Sequence, residues 1–158
     1  MKKNSLTKRD RKYVRAIYLK EGFKRPVGPS ELAEDMKVSR VGALQKMKRL
    51  EGQGLGEYMS KEGLILNSDG VDIVEEDIKR HHLLEKFLQE ALGMGFEEAC
   101  EESSRLGSVV SKEMIERIGK NYREYLECEC GLCLKPPYEI GDLKECHWIK
   151  RQFRDGGD

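Results

Sequence analysis

Ser30-Glu31-Leu32-Ala33-Glu34-Asp35-Met36-Lys37-Val38-Ser39-Arg40-Val41-Gly42-Ala43-Leu44-Gln45-Lys46-Met47-Lys48-Arg49-Leu50 decides the fold. Ser30 is expected to cap a short helix whose first turns carry acids, where the helix dipole favours them. Lys37-Val38 leaves room only for a tight turn before Ser39, a second cap. A third helix then runs to about Gln53, with Val41, Leu44, Met47 and Leu50 read as inward-facing at three-residue steps. Its outward positions are Arg40, Gly42, Ala43, Gln45, Lys46, Lys48 and Arg49. They combine small residues that permit close approach, an amide and arginines that can pair with base edges, and lysines for phosphates. No outward position is acidic before Glu51.

Upstream, Tyr13, Val14, Ile17 and Tyr18 recur at helical spacing over residues 8–20, and Glu21-Gly22 followed by Pro26, Gly28 and Pro29 marks a loop. Downstream, Gly52, Gly54 and Gly56 break the helix, and residues 57–66 read as two short strands around Lys61-Glu62-Gly63. Helix, helix, tight turn, helix and hairpin is the order of a winged helix-turn-helix, with the helix after the turn in the major groove and the hairpin over the backbone. The expected fold is therefore mainly α, with a winged helix-turn-helix over residues 1–70. Its candidate DNA contacts are Ser39, Arg40, Gly42, Ala43, Gln45, Lys46 and Arg49, with Lys61 on the wing.

Charge segregation points the same way. Residues 1–61 hold 16 Lys/Arg against 7 Asp/Glu, a balance of +9, and since the whole chain sums to zero the remainder carries −9. A positive field confined to one half suits a polyanionic partner. No apolar run is long enough to cross a bilayer, so a cytoplasmic, membrane-free protein is expected. No nucleophile elbow, phosphate loop or paired catalytic carboxylate is present in a recognisable frame, so no catalysis is expected.

Residues 71–126 read as a helical dimerisation domain. A long helix over 71–92 carries Val71, Val74, Ile78, Leu84, Phe87, Leu88 and Ala91, and two more helices fit 97–106 and 111–125. More apolar stripe than one small bundle can hide suggests a homodimer, which would set two recognition helices about one DNA turn apart.

The tail, residues 127–158, is cysteine-rich. Cys128-Glu129-Cys130-Gly131-Leu132-Cys133, with Cys146-His147 further on, gives a C-x-C-x2-C-x12-C-H pattern. Three thiolates within six residues and a fourth from a returning loop can supply tetrahedral zinc or hold an iron–sulfur cluster. Structural zinc, a sensing site for metal or redox state, and unligated thiols are all compatible with the spacing.

The run Tyr13-Val14-Arg15-Ala16-Ile17-Tyr18, then Leu32-Ala33-Glu34, Ser39 through Gln45, Leu50-Glu51-Gly52-Gln53-Gly54-Leu55, and above all Lys79-Arg80-His81-His82-Leu83-Leu84-Glu85-Lys86-Phe87-Leu88, resembles the diphtheria toxin repressor family. These are metal-dependent repressors of iron and manganese homeostasis genes. The resemblance covers roughly residues 6–126 and leaves no room for the SH3-like third domain of longer members. It implies operator contacts at Ser39 and Gln45, with Val41 where the family has proline. The family's first metal site draws on two first-helix residues that here read Lys12 and Arg15, and on positions that here read Ser104 and Gly107-Ser108. Two cations cannot bind a dication, so that site is expected to be absent. The second, ancillary site is implied at His81 and Glu85, four apart on one helix face, with Cys100 where the family has a further histidine. Imidazole, carboxylate and thiolate suit zinc or ferrous iron, with manganese as another candidate.

The expected function is a dimeric, sequence-specific transcriptional regulator, most simply a repressor, that binds double-stranded operator DNA and answers to a transition-metal effector or to redox state. The competing reading is a metal-binding or metal-delivery protein whose basic half does not act on DNA.

Overall fold

The computed structural model describes residues 6–122 and 137–154. Cys128, Cys130 and Cys133, named above as candidate ligands, lie outside the described residues. The element order is α1 (Lys8–Leu19), α2 (Pro29–Met36), α3 (Arg40–Gly52), β1 (Gly56–Met59), β2 (Gly63–Leu66), α4 (Ser68–Leu92), α5 (Phe96–Leu106), α6 (Lys112–Asn121), α7 (Ile140–Glu145) and α8 (His147–Arg154). This is the expected mainly helical architecture with an N-terminal winged helix-turn-helix. The chain forms two compact units. One takes in the described residues as far as Val74 together with those from Arg151, and the other spans Glu75–Lys150.

In the first unit α1 begins with a reciprocal cap. Thr7 Oγ1 accepts from the Asp10 backbone N–H at 3.0 Å, and Asp10 Oδ2 accepts from the Thr7 N–H at 3.0 Å. Helix α2 starts two residues earlier than expected. Gly28 is its N-cap and Pro29 takes the first helical position, so Ser30 lies inside the helix. Proline suits that place because its ring presets the helical φ and its missing N–H would have no intrahelical partner. Lys37 closes α2 in the left-handed region at φ 53°, which lets the chain reverse within three residues into α3. Ser39 caps α3 as read, its hydroxyl accepting from Gly42 N–H at 3.0 Å.

The inward face of α3 corrects the sequence reading. Ala43, Met47 and Leu50 are buried, Ala43 at 0% exposure, whereas Val41 is 62% exposed. Successive residues turn by about 100°, so a three-residue step falls about 60° short of a full turn, and three such steps carry Val41 to the side opposite Leu50. The spacing 43, 47, 50 stays on one side. Ala43, assigned above to the DNA-facing surface, instead packs in the core with Val14, Ile17, Leu32, Leu55 and Leu64.

Strands β1 and β2 pair antiparallel, with Gly56 opposite Leu66 and Met59 opposite Gly63. Val27 adds a bridge to Leu64, with N···O distances of 3.0 Å in both directions. Gly63 is required there. Its φ is +126°, and a Cβ would stand 1.9 Å from the Val27 carbonyl oxygen. At the tip, Lys61 also holds a positive φ, 66°, and is exposed.

In the second unit α4 buries an unusual stripe. Ile78, Leu83, Leu84 and Leu88 are accompanied in the interior by Asp77, His81, His82 and Glu85. Ala91, placed on the apolar stripe by the sequence, is exposed. Helix α5 lies where periodicity put it, and α6 starts as expected but ends at Asn121, short of the expected 125, residues 123–125 being outside the described ones. A core of Leu83, Leu84, Ile115 and Ile118 is flanked by Phe87, Leu106, Val110 and Tyr122. Leu143, Cys146, Trp148 and Ile149, from α7 and the start of α8, are also buried.

Candidate metal centre and nucleic-acid interface

On α3 the exposed side is made by Ser39, Arg40, Val41, Gln45, Lys48 and Arg49, with Gly42 and Lys46 half-buried. Val41 is the position that the reading missed, and correct helical phase would have found it. An exposed valine beside Gln45 offers a methyl-contacting surface next to an amide able to bridge adenine N6 and N7. Lys46 and Arg49 are held from behind. Lys46 Nζ donates to Asp10 Oδ1 at 2.6 Å, and Arg49 Nη2 lies 3.3 Å from Asp10 Oδ2. Burial would raise the carboxyl of the fully buried Asp10. The hydrogen bonds from Lys46, the Thr7 backbone, Arg49 and the Thr7 side chain outweigh it and hold the group well below the usual carboxylate range. Lys48 Nζ sits 3.9 Å from the centroid of the Tyr58 ring, and Glu51 Oε1 accepts from the Tyr58 N–H at 2.9 Å. These contacts tie β1 to the end of α3, which fixes the wing relative to the recognition surface. Lys61 lies at the wing tip.

The first-helix cations are buried, Lys12 at 8% and Arg15 at 6% exposure. Arg15 donates from Nε and Nη2 to Gln152 Oε1 at 3.0 and 2.7 Å, and Lys12 Nζ stands 5.7 Å from the centroid of the Phe153 ring. Gln152 had no signal in the sequence.

The second unit brings His81, Glu85 and Cys100 together. All three are buried, and one ligand atom from each lies within 4.8 Å of the others. His81 Nε2 is 3.5 Å from both Glu85 Oε2 and Cys100 Sγ. Two donors at 2.0–2.3 Å from a tetrahedral ion lie about 3.3–3.8 Å apart, a separation that the two 3.5 Å contacts match. A buried carboxylate beside an imidazole and a thiol is costly unless charge or hydrogen bonds compensate it, and a dication supplies that charge. The donor set fits zinc or ferrous iron. Trp148 covers the site, its ring stacked on His81 at 4.1 Å between centroids and an interplanar angle of 7°.

Of the remaining sequence-named ligands, Cys146 is buried, with Sγ 3.5 Å from His82 Nε2. His147 is half-buried and edges onto Phe96 at 5.6 Å. His82 was not among the candidates, although the doublet His81-His82, at four and three residues from Glu85, was a usable signal. Its Nδ1 donates to the Ile78 carbonyl at 2.8 Å. Burial first, then the neighbouring His81, hold its imidazole down at about 4, against the opposing pull of Glu85 and the Ile78 carbonyl.

A winged helix-turn-helix with a basic recognition face, followed by a helical unit enclosing an imidazole–carboxylate–thiol cluster, defines the class of metal-linked DNA-binding regulators. Comparison with known proteins places the chain within that class. Residues 5–64 match the iron dependent repressor N-terminal DNA binding domain, and residues 67–133 match the iron dependent repressor metal binding and dimerisation domain. MJ0568 of Methanocaldococcus jannaschii, an uncharacterised HTH-type transcriptional regulator, is 30% identical over 108 residues, which cover 67% of this chain and 86% of that one. The hypothetical protein SSo2273 from Sulfolobus solfataricus shares the fold, with a TM-score of 0.73 at 21% identity over 83% of this chain and 100% of that chain. ScaR with bound Zn2+ aligns with a TM-score of 0.69 at 27% identity, over 80% of this chain and 59% of that longer one. The chain belongs to the iron-dependent repressor family, the diphtheria toxin repressor family, and is a DNA-binding transcriptional regulator. Among the described residues no helix is long and apolar enough to cross a membrane.

Proposed function

We propose that this chain is a homodimeric regulator, most simply a repressor, that reads operator DNA through Ser39, Arg40, Val41, Gln45 and Arg49 on α3 and Lys61 on the wing. It takes a transition metal, zinc or ferrous iron by donor chemistry, at His81, Glu85 and Cys100. The observation that carries the reading is the buried trio, whose donor atoms all lie within 4.8 Å of one another. The exposed Leu92, Val109 and Met114, on and between the helices of the same unit, supply apolar surface for a two-fold partner. Lys12 and Arg15 put two fixed positive charges at the first-helix positions where the family resemblance implies a first metal site, which supports a part of DNA affinity that does not depend on metal.

The test is selection of duplexes from a random pool, followed by anisotropy titration of the winners with zinc, iron(II), manganese or chelator present. Metal is expected to change DNA affinity by 5- to 150-fold, roughly the usual size of a coupling between sites, and log K is expected to fall linearly with log salt. An affinity unmoved by every metal, and unmoved by His81→Ala, would overturn the metal assignment. Failure to select any duplex would overturn the DNA reading.

A further inference from the structure

Beyond the trio, the interior of the second unit holds a second imidazole and a second thiol. Cys146 Sγ lies 3.5 Å from His82 Nε2, and His82 Nε2 lies 3.9 Å from Glu85 Oε1. The trio's contact with Glu85 is through the other oxygen, Oε2, at 3.5 Å from His81. Each oxygen of one carboxylate thus has an imidazole near it, His81 at 3.5 Å and His82 at 3.9 Å, and each imidazole has its own thiol partner, Cys100 or Cys146. Both imidazole–thiol pairs have the same 3.5 Å separation, which again matches a tetrahedral edge.

We propose that His82 and Cys146 form a second metal seat, so that Glu85 bridges and the cluster takes two divalent ions of the zinc or ferrous class. This rests on the reading of His81, Glu85 and Cys100 as a metal site and extends it. Three features of the second pair support it. His82 Nδ1 donates to the Ile78 carbonyl at 2.8 Å, which fixes the tautomer with the Nε2 lone pair toward Cys146, the arrangement by which ligand histidines are oriented. Both side chains are buried, which suits a site that excludes solvent. The two residues come from elements 64 positions apart in the chain, α4 and the α7–α8 junction, so that an ion there would cross-link them. Binding expels the thiol proton: Cys146–SH and a dication give the metal thiolate and H+. Two thiolates and one carboxylate against two dications leave the cluster with one net positive charge. Imidazole and thiolate favour zinc and iron(II) over harder ions such as magnesium.

Anaerobic cobalt(II) titration and site-resolved alkylation of the full chain test the proposal. Wild-type protein is expected to bind one cobalt more per chain than either His82→Gln or Cys146→Ser, with one thiolate's share of charge-transfer absorption lost in each variant. Zinc is expected to slow alkylation of both Cys100 and Cys146 in wild type, and in His82→Gln to protect Cys100 alone. Circular dichroism of the metal-free proteins checks that each variant folds, and the wild-type alkylation result stands without any variant. Zinc protection of Cys100 but not Cys146 would overturn the second seat and leave the first intact. Protection of Cys146 that survives His82→Gln would overturn it too, assigning that thiol to ligands elsewhere. Protection of neither would overturn both readings.

Discussion

Arg15 aims Nε and Nη2 at one acceptor, the amide oxygen of Gln152, at 3.0 and 2.7 Å, in the buried interior of the first unit. A guanidinium retains its charge at any accessible pH, so an acceptor removed from it leaves a desolvated cation less well satisfied. Gln152→Ala is expected to cost about 1–3 kcal/mol. In a chain of this size that is a fall in melting temperature of about 2–4 °C per kcal/mol. Gln152→Glu, which keeps an acceptor and adds the opposite charge, is expected to restore most of it. Equal melting temperatures for the alanine variant and wild type would show that Gln152 does not hold Arg15.

Lys12→Asp combined with Arg15→Glu changes the charge of the DNA-binding domain by −4. If those cations stand in for a metal's charge, duplex affinity in the presence of chelator is expected to drop at least tenfold at moderate salt, and circular dichroism checks that the double variant folds. Unchanged chelator-resistant binding would leave the two residues with a packing role alone.

Asp10 gives the first unit a signed pH dependence. Its folded carboxyl titrates below the ordinary value of 3.8, so the folded state binds fewer protons than the unfolded state in the acid range. The stability it contributes is complete above about pH 4 to 5 and is lost as pH falls through the folded value. Asp10→Asn is expected to remove about 1–3 kcal/mol at neutral pH, because Lys46 and Arg49 keep partial access to water, and to flatten the acid limb of the stability curve. A variant with an unaltered acid limb would place the acid sensitivity elsewhere. Because the same carboxylate restrains Lys46 and Arg49, its loss is also expected to change the salt slope of DNA binding.

On α3, Gln45→Ala is expected to cost about 1–3 kcal/mol on the preferred duplex and to relax base preference at one position. Lys61→Ala is expected to weaken all duplexes alike and reduce the salt slope by about one. Ala43→Leu separates core from interface. It is expected to lower melting temperature by overpacking without altering base preference, and a changed preference would return Ala43 to the DNA face.

The order of the first unit was legible because Ser39 caps α3, the Pro26, Gly28 and Pro29 cluster marks a loop, and Gly63 marks the wing turn; the Thr7 cap of α1 and the helix start at Pro29 came from the structure alone. The phase of α3 was misjudged by following three-residue steps, which drift off the helical period. The site was only half legible. His81 and Glu85 share a helix face, so four-residue spacing reveals them, and family position added Cys100. Cys146 with His82 and Gln152 with Arg15 are separated by 64 and 137 residues. No local pattern encodes such pairings. Among the described residues Cys146 meets His82 of α4, a pairing that the cysteine spacing of the tail does not signal.

Trp148 is the chain's single tryptophan and lies 4.1 Å from His81, ring on ring, which makes intrinsic fluorescence a reporter of the first metal seat. Coordination at His81 Nε2 polarises the imidazole that the indole covers, and a paramagnetic ion held there sits within contact range of the excited ring. Cobalt(II) is expected to quench emission until the first seat is filled, and zinc to reverse the quench by displacement. His81→Ala is expected to abolish the response, whereas His82→Gln is expected to leave its stoichiometric first phase in place, because the stacked partner is His81. Saturating metal is also expected to raise the melting temperature, since an ion at 100 times its Kd adds about 2.7 kcal/mol to the state that binds it. Emission indifferent to cobalt in a protein that nevertheless binds it would move the ion away from His81, and with it the centre of the regulatory site.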